Sequence, residues 1–231
     1  VQLLIWGFVS QYLFDRSELL AQAFGVLSGG VLLWDICFRS QIGVSMAFLE
    51  EMWSRNLGHL FISPLRPWEW ATAMTTTAII RTLIGATPAV LLSAPFFGFS
   101  LFDLGPALFG FFCALLIFGW SIGLTVISII FRQGAGAEEL AWAVIFMLAP
   151  ICCVYYPIET LPAAIQPIAL ALPPTHVFEG MRAILVEQRF DAGALLAALG
   201  LGTVYLAFAI AFFLRTCAFA RENGLALQQG E

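Results

Sequence analysis

Lysine is absent from this 231-residue chain, and all ten of its positive charges are arginine. A phosphate-binding loop needs Gly-Lys-Ser/Thr to hold nucleotide phosphates, so the chain does not hydrolyse ATP by that route. Charge of either sign is scarce, at 11% of residues against roughly a quarter in a soluble domain. The net charge of −5 argues against nucleic acid, whose binding needs a basic surface. Histidine occurs only as His59 and His176, and no H-E-x-x-H is present. The five cysteines (Cys37, Cys113, Cys152, Cys153 and Cys217) lack the paired spacing of a zinc site. They read as small apolar packing residues, and vicinal Cys152–Cys153 is assigned no chemistry. Residues 1–14 lack the basic start and small-residue cleavage site of a signal peptide. They read as the tail of a first membrane helix. Because the chain opens on Val1 rather than Met, further sequence is expected before it.

What the chain has is apolar length: 61% hydrophobic residues and a mean hydropathy of +0.92. A spanning helix needs about 20 apolar residues. Candidate spans are Val1–Phe14, incomplete at its start, then Leu19–Phe38, with Arg39 marking its end. Trp68–Phe99 follows, longer than one span and carrying Pro88 and Pro95 as kink points. Gly105–Phe131, Leu140–Tyr156 and Ala192–Leu214 complete six. With no internal repeat or low-complexity linker, residues 1–231 read as one domain, an all-α polytopic membrane protein. Arginine sets the orientation. With the 40–66 loop inside, Arg39, Arg55, Arg66, Arg132, Arg215 and Arg221 fall on the cytoplasmic side, against Arg16, Arg182 and Arg189 outside. Both termini are then cytoplasmic.

Two inserts and one buried charge carry the functional reading. In residues 46–61, Leu49, Met52, Trp53, Leu57 and Leu60 recur at three- and four-residue steps, with Glu50, Glu51, Ser54, Arg55 and His59 opposite. The spacing predicts an amphipathic helix with a Glu51–Arg55 ion pair, stopped by Pro64. It either rests on headgroups or docks a soluble subunit. Residues 157–191 are punctuated by Pro157, Pro162, Pro167, Pro173 and Pro174. No run there reaches spanning length, so a re-entrant or interfacial piece lining a pathway is expected, with a plain loop as the alternative. Thr175 is positioned to cap a helix carrying Glu179 and Arg182. Arg81 lies deep in the third run, where it faces an interior or partner, or snorkels to the interface. Asp35 allows the same two readings.

Two stretches resemble the ABC-2 permease family, the membrane subunits of type-2 ABC exporters. One is Glu50-Glu51-Met52-Trp53-Ser54-Arg55-Asn56-Leu57 with Ser63-Pro64-Leu65 and Glu69-Trp70, which looks like the family's coupling helix. The other runs from Leu140-Ala141-Trp142 through Tyr156-Pro157-Ile158-Glu159-Thr160-Leu161-Pro162 to Pro173-Pro174-Thr175-His176 and Arg182. It is similar to the signature between the last two spans, with Pro174 standing where the family has an aliphatic, Phe or Thr residue. The resemblance implies six spans, a cytoplasmic coupling helix, an external re-entrant segment, and an interfacial segment ahead of the first span. It implies a dimer of permeases, a homodimer in the simplest case, working with a separate nucleotide-binding ATPase subunit that carries ATP and Mg. Membrane lipid surrounds it, the bacterial inner membrane is the expected location, and no cofactor is expected in this chain. Carried over, Glu50, Glu51, Arg55 and Asn56 are docking contacts, while Tyr155, Tyr156, Pro157 and Pro162 shape the external gate.

The resulting expectation is an ATP-driven exporter of an amphiphilic or lipid-linked substrate, a glycolipid, polysaccharide or drug. Two alternatives compete with it. A membrane-embedded lipid-modifying enzyme would need clustered Asp, His or Ser, whereas Asp15, Asp35, Asp103, Glu159 and Asp191 are scattered. A non-transporting structural subunit makes no demand on the sequence.

Overall fold

The computed structural model describes residues 18–97 and 100–223, and the expected first span lies outside them. Among the described residues all regular structure is helical. The helices are α1 (Glu18–Trp53), α2 (Leu57–Ile62), α3 (Pro67–Phe97), α4 (Ala107–Gln133), α5 (Leu140–Ile151), α6 (Gln166–Leu170), α7 (Pro173–Glu187) and α8 (Ala192–Asn223). Single 3₁₀ turns occupy Leu101–Leu104, Ala135–Ala137 and Ile158–Thr160. Four helices are long and apolar enough to cross a membrane: Gly25–Trp53 within α1, Pro67–Phe96 within α3, α4, and α8.

These four stand in the order α3–α1–α4–α8, with α1 and α4 in the middle and α3 meeting α8 where Trp70 packs on Phe213, ring centroids 5.6 Å apart. Small residues set the spacing. A Cβ at Gly119 would lie 2.7 Å from that of Ser40, and one at Gly123 would lie 2.8 Å from that of Val44. Gly119 and Gly123 are four apart on one face of α4, a small-xxx-small seam that lets two backbones approach. Gly43 does the same for α1 against Ala78 of α3. Lipid tails are as apolar as leucine, so close packing and interhelical hydrogen bonds hold such a bundle, rather than water exclusion. Ser40 Oγ donates to the Leu116 carbonyl at 3.0 Å, and Gln41 Nε2 donates to the Ala141 carbonyl at 3.0 Å, joining α1 to α4 and α5.

Two expected boundaries move. The second span does not end at Arg39; α1 runs on to Trp53. Asp35, one turn earlier, forms an ion pair with Arg39, so the charge is neutralised inside the helix. The following Val44, Phe48, Leu49 and Met52 are buried, which gives the chain a reason to continue. The fifth run is helical only over the 12 residues of α5, about 18 Å at 1.5 Å each, and turns at Cys152–Cys153. Pro88 and Pro95 both lie inside α3, which stays helical through them.

The row has two unlike ends. Arg55, Arg66, Arg132, Arg215 and Arg221 gather where α1, α4 and α8 finish and α3 and α5 begin. Arg182 and Arg189 lie at the other. Arg39, expected at an end, sits mid-helix; its guanidinium fills the space that a side chain at Gly85 would take.

Candidate functional site

At the Arg-rich end the chain makes a corner between α1 and α3. After Trp53 the backbone reverses through Arg55, whose φ is +56°. Asn56 N–H donates to the Glu51 carbonyl at 2.9 Å, and Asn56 Nδ2 donates to the Glu51 carboxylate. The expected amphipathic helix over 46–61 is therefore two pieces, the end of α1 and the six-residue α2. The expected Glu51–Arg55 ion pair is absent, because the turn swings Arg55 out to solvent and gives Glu51 to Asn56. Glu50 is also engaged elsewhere. Its carboxylate meets Arg81 at 2.7 Å. Both side chains are about half exposed on the bundle surface, so Arg81 reaches a partner near the helix end rather than an interior cavity.

The corner is fastened to two other helices. Trp53 Nε1 donates to the Glu138 carboxylate at 2.9 Å, just ahead of α5. Arg221 of α8 donates to the Leu65 carbonyl at 3.2 Å and lies over the Phe61 ring, 5.6 Å from its centroid. Beneath, Phe61 packs on Trp70 and Phe131, and Phe48 on the same two rings. Arg55, His59 and Ile62 face outward from this aromatic base.

The opposite end is organised by Arg182. Its Nη1 donates to the Cys153 carbonyl at 3.0 Å, and its Nη2 meets the Glu179 carboxylate at 2.7 Å. The same carboxylate oxygen accepts the Ile158 N–H at 2.9 Å. One partly buried ion pair thus fixes the turn after α5, the Ile158–Thr160 turn and α7 together. Cys153 has φ +55°, and the Val154 carbonyl presses on α1 at Gly30, where a Cβ would come within 2.7 Å. Tyr156 donates to the Pro150 carbonyl at the end of α5, and Tyr155 packs against the core. Pro157 and Pro162 are exposed at the surface of this end. The expected Thr175 cap is absent. Helix α7 starts at Pro173, where proline's missing N–H costs nothing, and this puts the Thr175 hydroxyl inside the first turn, buried without a partner. The α7 face bearing Val177, Phe178 and Met181 is buried against α8, α4 and α1.

Gly119-Trp120-Ser121-Ile122-Gly123 spells the G-x-S-x-G of hydrolase nucleophiles, a string that sequence reasoning missed. That motif works on a strand-to-helix elbow that exposes the serine. Here Ser121 is 2% exposed within α4, and its hydroxyl donates to the Phe118 carbonyl. The two histidines lie at opposite ends, and no three His, Cys, Asp or Glu side chains converge among the described residues.

A row of spanning helices with a fastened corner at one end and a packed return helix at the other agrees with the comparison of sequence families. The family model described as ABC-2 type transporter matches residues 1–186. The chain belongs to the ABC-2 type transporter family. It is a multi-pass membrane protein and a transport component, not itself an enzyme. This family generally works with an ATPase subunit. The match covers α1 through nearly all of α7, leaving α8 outside it. No curated protein matches the chain.

Proposed function

We propose that this chain is the permease subunit of an ATP-driven exporter for an amphiphilic or lipid-linked substrate. In this reading it works as a dimer in a bacterial inner membrane, with the Arg-rich end cytoplasmic and six spans per copy. In it α5 with its following turn forms the fifth span. The observation that carries the proposal is the corner at Trp53–Leu65. It presents Arg55, His59 and Ile62 outward while Trp53 and Arg221 fasten it to α5 and α8. A soluble ATPase subunit carrying ATP and Mg pushes on that corner. The displacement reaches α5 through Trp53–Glu138, and the 12 residues of α5 carry it to Tyr155 and Tyr156. Of the four docking residues, Arg55 meets the partner directly, Glu51 and Asn56 hold the turn that aims it, and Glu50 braces Arg81.

Co-purification in mild detergent with ATPase and flux assays tests this. A stoichiometric nucleotide-binding subunit is expected, lost in Arg55→Glu while the protein stays in the membrane. The Arg55 side chain is exposed and forms no ion pair among the described residues, so normal export by that variant removes the docking claim. Tyr156→Ala is expected to change basal leak or substrate range, and unchanged flux would put the gate elsewhere. Purification of an intact dimer with no ATPase partner would overturn the permease reading itself.

A further inference from the structure

Where α4 and α8 run side by side, their outer face carries a groove of about 430 Å³. Its walls include Ile122 and Thr125 of α4 and Tyr205, Phe208 and Phe212 of α8, and Arg215 closes it toward the Arg-rich end. Arg132 of α4 reaches α8 at Thr216, the residue after Arg215. Its Nε donates to Thr216 Oγ1 at 3.2 Å, and its guanidinium lies over Phe212 and Phe219, 5.2 and 5.3 Å from their centroids. Phe212 therefore belongs both to the groove wall and to the arginine's seat. Both arginines are exposed, and neither forms an ion pair among the described residues. Arg39, Arg81, Arg182 and Arg189 all do. The α8 carboxylate on this side, Glu222, is two turns beyond Arg215, about 10 Å by helix rise. So the groove ends at Arg215, with Arg132 reaching the next residue of α8, and neither charge is paired among the described residues.

We propose that this groove holds an acyl chain of an anionic phospholipid whose phosphate sits between Arg132 and Arg215. Charge complementarity selects the headgroup, since a basic pocket between membrane helices suits an anionic lipid. Length agrees. From Tyr205 to Arg215 is about 15 Å along α8, half of the roughly 30 Å hydrocarbon core and so one leaflet deep. Arg132 is the penultimate residue of α4, which places the charge at headgroup depth. A second groove of about 370 Å³, between α1, α3 and α4, carries no charged side chain to name its occupant. The proposal is independent of the transport reading, because it concerns the outer face of α4 and α8 rather than the corner or the far end of α5.

Native mass spectrometry of the purified full chain tests it, with equimolar phosphatidylglycerol and phosphatidylcholine of identical acyl chains. The wild-type chain is expected to retain phosphatidylglycerol about tenfold over phosphatidylcholine, a factor of a few per arginine. R132Q/R215Q should bring that ratio to within about twofold, while R132K/R215K, which keeps the charge, should hold most of it. R55Q/R66Q removes two arginines from the same end outside the groove and should leave the preference intact. Ala211→Trp, which fills the groove from its exposed side, should lower retention of both lipids. Equal retention by the wild-type chain overturns the site, as does a preference that survives R132Q/R215Q. An equal loss in R55Q/R66Q also overturns it, by showing diffuse surface charge rather than a seat.

Discussion

Helices α4 and α8 are the two most apolar of the four long helices, and nearly equally so, yet 72% of the most apolar stretch of one is buried and 17% of that of the other. They run parallel and touch along their length, from Gly110 against Leu195 to Arg132 against Thr216. Hydropathy measures preference for the bilayer over water and is silent on which helix stands inside. What separates them is small and polar residues on a second face. Helix α4 offers Gly119, Gly123 and Ser121 to its surroundings, with α1 packed onto the two glycines. Helix α8 packs toward α4 and α7, meets α3 through Phe213 on Trp70, and elsewhere shows Leu196, Val204 and Phe208 outward.

The sharpest way to break this contrast is Gly119→Leu. Any side chain there meets the Ser40 side chain and, at 2.9 Å, the Cys37 carbonyl, which is backbone and cannot move aside. Overpacking of this kind costs about 3 kcal/mol or more, because the two central helices must separate. The expected result is loss of the folded protein from the membrane fraction, or unfolding at much lower dodecyl sulfate. A well-folded Gly119→Leu chain would show that the α1–α4 seam is not what makes α4 central. Next in size is Phe111→Ala against Phe208→Ala. Phe111 is fully buried and 73% of Phe208 is exposed. The first leaves a cavity and is expected to cost about 3 kcal/mol in equilibrium unfolding, while the second leaves none. Equal losses would mean that α8 is covered as thoroughly as α4.

How far the sequence carried the reading follows from the same distinction. The long helices were legible as runs, since apolar length is a local property. The end of α1 was not, because Arg39 looks like a boundary until Asp35 is counted one turn before it; that i,i+4 spacing was the available signal. The end of α5 was illegible. Cys152–Tyr156 carries no charge, glycine or proline to mark a stop, and the turn is held by Arg182, 29 residues downstream from Cys153. At the corner, the Glu51–Arg55 spacing promised an ion pair, but spacing presumes a helix and the left-handed Arg55 ends it. The Glu179–Arg182 pair was legible because α7 stays helical across it. The Gly119–Gly123 seam was written plainly in the sequence and passed over, since an apolar run hides its own small residues.

A third test grades the contact between the pair. Gly202 of α8 has the Ile117 side chain 3.3 Å from where its Cβ would stand. Gly202→Leu should cost about 1–2 kcal/mol, less than Gly119→Leu, because Ile117 can change rotamer where a backbone carbonyl cannot yield. The reverse order would place the tighter seam between α4 and α8.

The smallest effect is expected from Gly200→Leu, two residues away on α8. No described residue stands within 4 Å of a Cβ there, so a side chain has open space. Replacing glycine in a helix interior is itself favourable by up to about 1 kcal/mol, since glycine is a poor helix former. The variant should therefore unfold at the same or slightly higher dodecyl sulfate. This position also probes what lies against α8 in the native membrane. If Gly200→Leu folds normally alone but fails to assemble or to transport, that face is covered by protein rather than lipid, and the openness of α8 belongs to the isolated chain. If stability, assembly and flux are all unchanged, the face meets lipid, and α4 and α8 differ in their neighbours as much as in their sequences.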